Sequence, residues 1–155
     1  MMMRAIAYSI KPNEKESLTL TNEKKHSLTL ISNDLNDRTL LYAQGKEAVI
    51  ISSYDLLDRR MLLALKEHGV RYIITRSRET THIDLEEATR LGFKIANVPS
   101  DNQSADLVSR AVIRNLDAWG QGKCVGSACC CMKITPLEEK KKIDRPCTDG
   151  YRLSG

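Results

Sequence analysis

Short apolar strand patterns and amphipathic helical patterns alternate along this chain, and that alternation restricts its fold more than any other feature. Three runs rich in β-branched residues, at 47–52, 70–75 and 93–98, have the composition of buried parallel strands. Helical patterns separate them, one over 58–68 and one that begins at the N-cap Asp84 and ends at Arg90. The alternation predicts a parallel sheet with helices on both faces.

The N-terminal third predicts two further strands, at 3–10 and 27–32. The polar stretch between them is compatible with a weak helix, although Thr19 and Thr21 disfavour a firm one. Five strands in this spacing predict an open, flavodoxin-like sheet with the strand order 2-1-3-4-5.

Two more helices complete the predicted domain. A short one over 35–44 would begin at Asn33 or Asp34 and end at Gly45. The longest covers 104–119, and its apolar residues fall on one side: Leu107, Val108, Ala111, Val112, Leu116 and Trp119. The sequence changes character after Gly120. We therefore expect a domain at 1–120 and a cysteine-containing tail at 121–155, loosely ordered unless a metal or partner holds it.

Composition excludes several classes of function. The formal net charge is only +4, and basic and acidic residues are interspersed apart from Lys140-Lys141-Lys142, so a basic nucleic-acid-binding face with aromatic residues is not expected. No apolar run approaches the roughly 20 residues that span a bilayer, and the N-terminus lacks a signal-peptide pattern. We expect a cytoplasmic protein without a membrane segment. Its five cysteines are an odd number, which excludes a fully paired disulfide framework.

An ordered set of residues between 65 and 98 carries a family resemblance. A strand ends in Arg76-Ser77, Ile83-Asp84 opens a helix, and Gly92 precedes a strand that ends in Val98-Pro99. This order resembles the N-terminal, substrate-side domain of the D-isomer-specific 2-hydroxyacid dehydrogenases, the D-lactate dehydrogenase branch in particular. The similarity covers about residues 3–116 and implies a relative of NAD-dependent oxidoreductases.

The resemblance implies that the machinery for hydride transfer is missing from these residues. In the family, the arginine, the acidic residue and the histidine that act on the substrate belong to the nucleotide-binding domain. The stretch from Gly120 to Gly126 superficially resembles a phosphate-binding loop, but no predicted strand precedes it. We expect no catalytic residue and no cofactor in this chain, with NAD belonging to the full-length family.

By resemblance, the substrate-side residues would be Tyr54, Arg76, Ser77, Arg78 and Glu79. Glu79 stands where the family has a glycine whose backbone N–H meets the substrate carboxylate, and its charge would repel such a ligand. Arg76 and Arg78 could hold a small carboxylate between them. The alternative is that Arg76 pairs with a neighbouring carboxylate and that Arg78 is solvated. His82 is a further candidate, as a general base or as a loop residue without a chemical role. His26 and His68 are assigned no function.

The cysteines permit a metal site, although their spacing matches no recognised pattern. Its ligands would be Cys124, Cys129, Cys131 and Cys147. A redox-sensitive thiol patch beside Lys123 and Lys133 is an alternative, and so is a tail of reduced thiols without a function.

Three hypotheses for function follow. The first is a truncated or degenerate D-2-hydroxyacid dehydrogenase relative, inactive alone. The second is a non-enzymatic module that binds a small anion or regulates. The third is half of a split dehydrogenase, completed by a separate nucleotide-binding chain. We also expect self-association as a homodimer, or docking of the tail, because the apolar side of helix 104–119 would otherwise meet water.

Overall fold

A computed structural model describes residues 2–131. Five parallel strands form one sheet in the order β2-β1-β3-β4-β5, which confirms the predicted flavodoxin-like arrangement. The strands are β1 Arg4–Ala7, β2 Ser27–Leu30, β3 Ala48–Ile51, β4 Tyr72–Thr75 and β5 Lys94–Ala96, and the α-helices are α1 Pro12–Asn22, α2 Arg59–Glu67, α3 Leu85–Arg90 and α4 Ala105–Gly120.

Helices cover both faces of the sheet, as expected. Helices α1 and α4 pack on one face, where alanines of β1, β3 and β5 leave room for close approach. Helices α2 and α3 pack on the other, against larger side chains such as Ile6, Ile51 and Ile73. Because side chains alternate along a strand, β1, β3, β4 and β5 contribute to both cores, whereas β2 contributes only to the core on the α1 and α4 side.

Helix α1 is a regular helix of 11 residues, more definite than the polar sequence indicated. Pro12 occupies a first-turn position, where its missing N–H costs nothing, and the Glu14 carboxylate accepts a hydrogen bond from the Lys11 N–H at 2.9 Å. Leu18 is buried against α4. Capping and this contact outweigh the low helix propensity of Thr19 and Thr21.

The helix predicted over 35–44 is wrong. The structure has only a 3₁₀ turn, Leu40–Ala43. The cause is local competition, since the Asn36 side-chain oxygen accepts hydrogen bonds from the backbone N–H groups of Arg38 and Thr39. These bonds fold the preceding residues into a turn.

Helix α4 does not leave its apolar side exposed, so the stated reason for self-association is wrong. Val112 and Leu116 are fully buried in the core that α4 shares with α1 and the sheet. The Trp119 ring lies 4.7 Å from that of Tyr72, centroid to centroid. Helix α1, which forms from the polar segment after β1, packs against α4 and keeps its apolar side out of water. A homodimer stays a prediction without support from this surface.

Residues 128–131 pack against the domain, whereas most of residues 121–127 are exposed. After a 3₁₀ turn, Gly126–Ala128, the chain pairs antiparallel with the outer edge of β5. The Cys130 N–H donates to the Ile95 carbonyl at 2.8 Å, and the Asn97 N–H to the Ala128 carbonyl at 3.0 Å. This pairing protects a strand edge that would otherwise be open. The remaining tail residues lie outside the described part of the chain.

A polar cluster at the amino ends of β1 and β2 joins these strands to α4. The His26 ring is buried, with Nδ1 accepting from the Met3 N–H at 3.0 Å and Nε2 lying 2.7 Å from Asp117 Oδ1. Lys25 also donates to Asp117, at 3.0 Å. Burial alone would raise the pKa of the Asp117 carboxyl, but hydrogen bonds from His26 and Lys25 and the charge of Lys25 outweigh burial and lower it.

Truncation of Leu116 tests whether α4 is a core helix. We expect Leu116→Ala to lower the free energy of unfolding by about 3 kcal/mol, because it leaves a cavity between α4 and the sheet. The control is Leu41→Ala, since Leu41 is 59% exposed and its truncation should cost little. Urea unfolding measures both. Similar small losses in the two variants would show that α4 is not packed as described.

Acid titration tests the polar cluster. A carboxyl whose folded pKa lies below its unfolded value, near 3.8, contributes its full stability above that value and loses it as pH falls through the folded pKa. We therefore expect Asp117→Asn to be less stable near neutral pH and to depend less steeply on pH below about 4. Urea midpoints measured at descending pH check this. Parallel curves for the two proteins would contradict the role of Asp117.

Candidate functional site

The carboxyl ends of β1, β3 and β4 meet at one edge of the sheet, which is where open α/β sheets bind ligands. Two adjoining cavities open there, of about 360 and about 330 Å³. We call them the α4 cavity and the β3 cavity, because residues of α4 line only the first, and Ser52 and Tyr54, which follow β3, line only the second. Their shared lining residues are Lys11, Glu14, Ser53, Arg76 and Ser77.

Arg76 forms the floor between the two cavities. It follows β4 directly, and its side chain is only 3% exposed. Nη1 donates to the Tyr8 carbonyl and Nη2 to the Ser9 carbonyl, each at 2.9 Å, and Nη2 also lies 3.4 Å from Glu14 Oε1. Burial lowers the pKa of this guanidinium, and the Glu14 and Asp55 charges oppose that effect. The Nη1 and Nη2 groups of Arg76 therefore bind the protein itself, whereas its Nε is buried without a hydrogen-bond partner among the described residues.

Ser9 presents its carbonyl to Arg76 because β1 ends in an uncommon backbone conformation. Its φ is +57°, in the left-handed region that residues other than glycine rarely adopt. The Ser9 N–H donates to the Asn33 carbonyl at 2.8 Å, and its hydroxyl donates to Asp55 Oδ1 at 2.9 Å. Asp55 is 1% exposed and also accepts from Ser52 and Leu35. Asp55 thus ties the ends of β1 and β3 together beneath the cleft.

A directed chain of hydrogen bonds shapes the loop after Arg76. Ser77 has one hydroxyl proton and donates it to the Glu79 carbonyl at 2.8 Å. The Thr75 hydroxyl, 2.6 Å away, must then donate to Ser77 Oγ, and His82 Nε2, 2.9 Å from Thr75 Oγ1, must donate to Thr75. Burial lowers the pKa of His82, and the nearby Asp55 and Glu79 charges offset this only in part. The imidazole is therefore neutral near pH 7, and its Nε2 is occupied.

The structure brings together four of the five residues that the resemblance implied. Arg76 and Ser77 line both cavities, Glu79 lines the α4 cavity, and Tyr54 lines the β3 cavity, where it is 85% exposed. Arg78 lines neither, and its side chain pairs with Asp101 at the surface. The two arginines therefore do not converge on one anion. Arg76 pairs with a carboxylate, as the alternative interpretation held.

Sequence reasoning missed the side of the cleft formed by the helices. Lys11 and Glu14 come from the start of α1, and Ser109 comes from α4. Sequence reasoning also missed Asp55, which follows β3 and lines neither cavity but binds Ser9. Glu14 lies 62 residues from the arginine that it contacts, so no local pattern connects them. One signal was available for Asp55, because it follows a strand of the sheet at the edge where ligands bind.

The predicted metal site stays a prediction. Among residues 2–131, no group of three or more His, Cys, Asp or Glu residues is placed to hold an ion, and Cys147 lies outside that range. Burial raises the pKa of the Cys130 thiol to about 11, with a smaller contribution from Cys131. A thiol of that pKa is a poor nucleophile, which argues against Cys130 as part of a redox-sensitive patch.

The glycine-containing stretch after α4 does not fit a dinucleotide. Gly120 is the last residue of the helix, so the stretch begins at a helix C-terminus rather than at the end of a strand. It leads into the 3₁₀ turn and the edge pairing with β5. A phosphate-binding loop needs N–H groups at the start of a following helix, and this segment supplies none.

Comparison with known proteins decides the family. The family described as D-isomer specific 2-hydroxyacid dehydrogenase, catalytic domain, matches residues 5–128. The chain belongs to this family. D-lactate dehydrogenase kk1H of Curvularia clavata is 36% identical over 66% of this chain and 31% of its own length. D-lactate dehydrogenase of Escherichia coli K12 is 36% identical over 66% of this chain and 32% of its own length.

Solved structures of the family give the same result. The apo-structure of the Escherichia coli D-lactate dehydrogenase superposes with a TM-score of 0.62 at 36% identity, covering 64% of this chain and 32% of that one. The Salmonella D-lactate dehydrogenase gives a TM-score of 0.62 at 30% identity, covering 77% and 34%. The chain thus spans about a third of the length of the relatives that it matches. Among residues 2–131, no helix is both long and apolar enough to cross a bilayer.

Replacing Arg76 and Arg78 one at a time tests whether Arg76 stabilises the fold from a buried position while Arg78 makes only a surface ion pair. We expect Arg76→Met to cost about 3 kcal/mol of stability, because it strands the Glu14 carboxylate and leaves two carbonyls without donors. Arg78→Met should cost less than about 0.5 kcal/mol, since its ion pair is exposed. Urea unfolding measures both losses. Equal losses would refute the assignment of Arg76 as the floor of the cleft.

Proposed function

We propose that these 155 residues form the substrate-side part of a D-2-hydroxyacid dehydrogenase relative, that they bind a small carboxylate in the cleft, and that alone they transfer no hydride. The side chains that line the cleft are the main support for both carboxylate binding and inactivity. They offer an ammonium, hydroxyls and a buried guanidinium, which suit binding, but neither cavity is lined by an imidazole.

The ligand carboxylate would be held by Lys11 and by hydroxyl groups rather than by an arginine fork. Arg76 already donates to two carbonyls, so its contribution is a positive field at the floor of the cleft. Ser53 and Ser109 line the α4 cavity with hydroxyls that have no hydrogen-bond partner among the described residues. These groups orient a ligand but do not supply a hydride.

Two observations support the proposal that the chain alone is inactive: hydride transfer needs NAD, and residues 120–126 do not form a phosphate-binding loop. Hydride transfer in this family is the chemistry of NAD, and a Lactobacillus delbrueckii relative of this fold is described in its NAD complexed form. Residues 120–126 are the nearest approach to a phosphate-binding loop in this chain, and they do not fit one. The relatives that match are about three times as long.

A second candidate is half of a split NAD-dependent dehydrogenase. Two large apolar side chains on the loop after β3 favour it, because Tyr54 is 85% and Leu56 is 64% exposed near the β3 cavity. Exposed apolar groups beside a cleft suit a covering partner. A separate nucleotide-binding chain is the occupant that the family would supply. Genomic DNA around the coding sequence tests this, because the split requires a frame that encodes a strand followed by G-x-G-x-x-G.

An NADH assay tests the proposed inactivity. We expect the purified 155-residue protein to show no pyruvate-dependent loss of NADH absorbance above buffer, because within residues 2–131 the glycine-containing stretch after α4 does not form a phosphate-binding loop. The Escherichia coli D-lactate dehydrogenase, assayed in parallel, shows that the conditions support turnover. Sustained NADH oxidation that scales with the concentration of this protein would overturn the proposal.

A further inference from the structure

The α4 cavity is lined by two cations and two carboxylates. Lys11 and Arg76 carry positive charge, Glu14 and Glu79 carry negative charge, and no other charged side chain lines it. A cavity built for a simple anion would show an excess of positive charge, because each carboxylate in the wall repels the ligand. Equal numbers of positive and negative side chains instead match a ligand that carries both signs of charge.

Several of the lining groups have no partner among the described residues, including the Ser53 hydroxyl and the buried Arg76 Nε. The Lys11 ammonium and the Glu79 carboxylate make no ion pair or hydrogen bond, whereas Glu14 Oε1 is taken by the Lys11 N–H and by Arg76. Ser109 is only 2% exposed, yet its hydroxyl has no partner and lines the cavity. This hydroxyl can therefore donate a hydrogen bond to a ligand or accept one from it.

The backbone around Glu79 is held in place by the loop. The hydroxyl of Ser77 donates to the Glu79 carbonyl, and the chain of hydrogen bonds back to His82 supports Ser77. Glu79 therefore projects from a braced loop. Glu79, from the loop after β4, and Lys11, from the residue before α1, both line one cavity of about 360 Å³, within the range of roughly 300–1,000 Å³ typical of small-molecule sites.

We propose that the α4 cavity binds the zwitterion of a small α-amino acid. Lys11 and the Ser109 hydroxyl take the carboxylate, and Glu79 and the free oxygen of Glu14 take the ammonium group. An α-amino acid differs from a 2-hydroxy acid by an ammonium in place of the hydroxyl, so one charged residue in the wall is enough to change the preference. This inference rests on the proposed function only in placing a small carboxylate in the cleft.

Matched ligands test the inference directly. Alanine and lactate share one carbon skeleton, and ethylamine carries the cation alone. Isothermal titration of the 155-residue protein with each is expected to show alanine, as one of its enantiomers, binding at least about tenfold more tightly than lactate or ethylamine. Tighter binding of lactate, equal binding of all three, or no binding would each overturn the inference.

Charge-neutral variants locate the binding groups. Glu79→Gln and Lys11→Met should each weaken alanine binding about tenfold, because each removes one of the two charge contacts. The controls are Glu67→Gln and Lys15→Met, which change exposed residues that line neither cavity. Weakening by the controls to the same degree would show that binding is not in the cavity.

The two proposals fail in different ways. Glu79→Gly restores the residue that the family resemblance implied at this position, and it should shift the preference from alanine toward lactate. Lactate preference in the unchanged protein would overturn the zwitterion and leave the substrate-side assignment intact. Pyruvate-dependent NADH oxidation would overturn the proposed inactivity and would not touch the preference for alanine.

Discussion

A buried guanidinium holds the functional edge of this domain together. Arg76 joins the end of β4 to two carbonyls at the end of β1 and to a carboxylate at the start of α1. Taking such a charge out of water costs several kcal/mol, which only good hydrogen-bond geometry can offset. The left-handed conformation of Ser9 and the four hydrogen bonds to Asp55 provide that geometry. The shape of the cleft depends on this arrangement.

The same arrangement decides which residues remain for a ligand. Because Arg76 is occupied by backbone carbonyls and Glu14, the unpaired charges of the α4 cavity are Lys11 and Glu79. The first comes from the turn before α1, and the second comes from the loop where the resemblance implied a glycine. A shared fold therefore does not fix the ligand, which depends on the few side chains that the fold leaves unpaired.

Much of the fold could be predicted from sequence, because β-branched runs and glycine-terminated helices are local signals. Helix α1 and the segment 35–44 were harder to predict. Packing of Leu18 against the distant α4 stabilises the helix, and the Asn36 side chain folds the segment into a turn instead of the predicted helix. Arg76 and Ser77 could be found from their place after a strand. Lys11, Glu14 and Ser109 could not, because only tertiary packing brings them to the same cavity.

Binding of a ligand in the α4 cavity would be coupled to the stability of the domain. The α4 cavity lies between α1, α4 and the loop after β4, and the packing of α1 on α4 closes one face of the sheet. A ligand that contacts all three elements binds the folded state alone, so it stabilises the domain by an amount that grows with its concentration. A substitution in the wall of the cavity therefore acts on two quantities at once. Changes in ligand preference and changes in packing have to be measured separately in this domain.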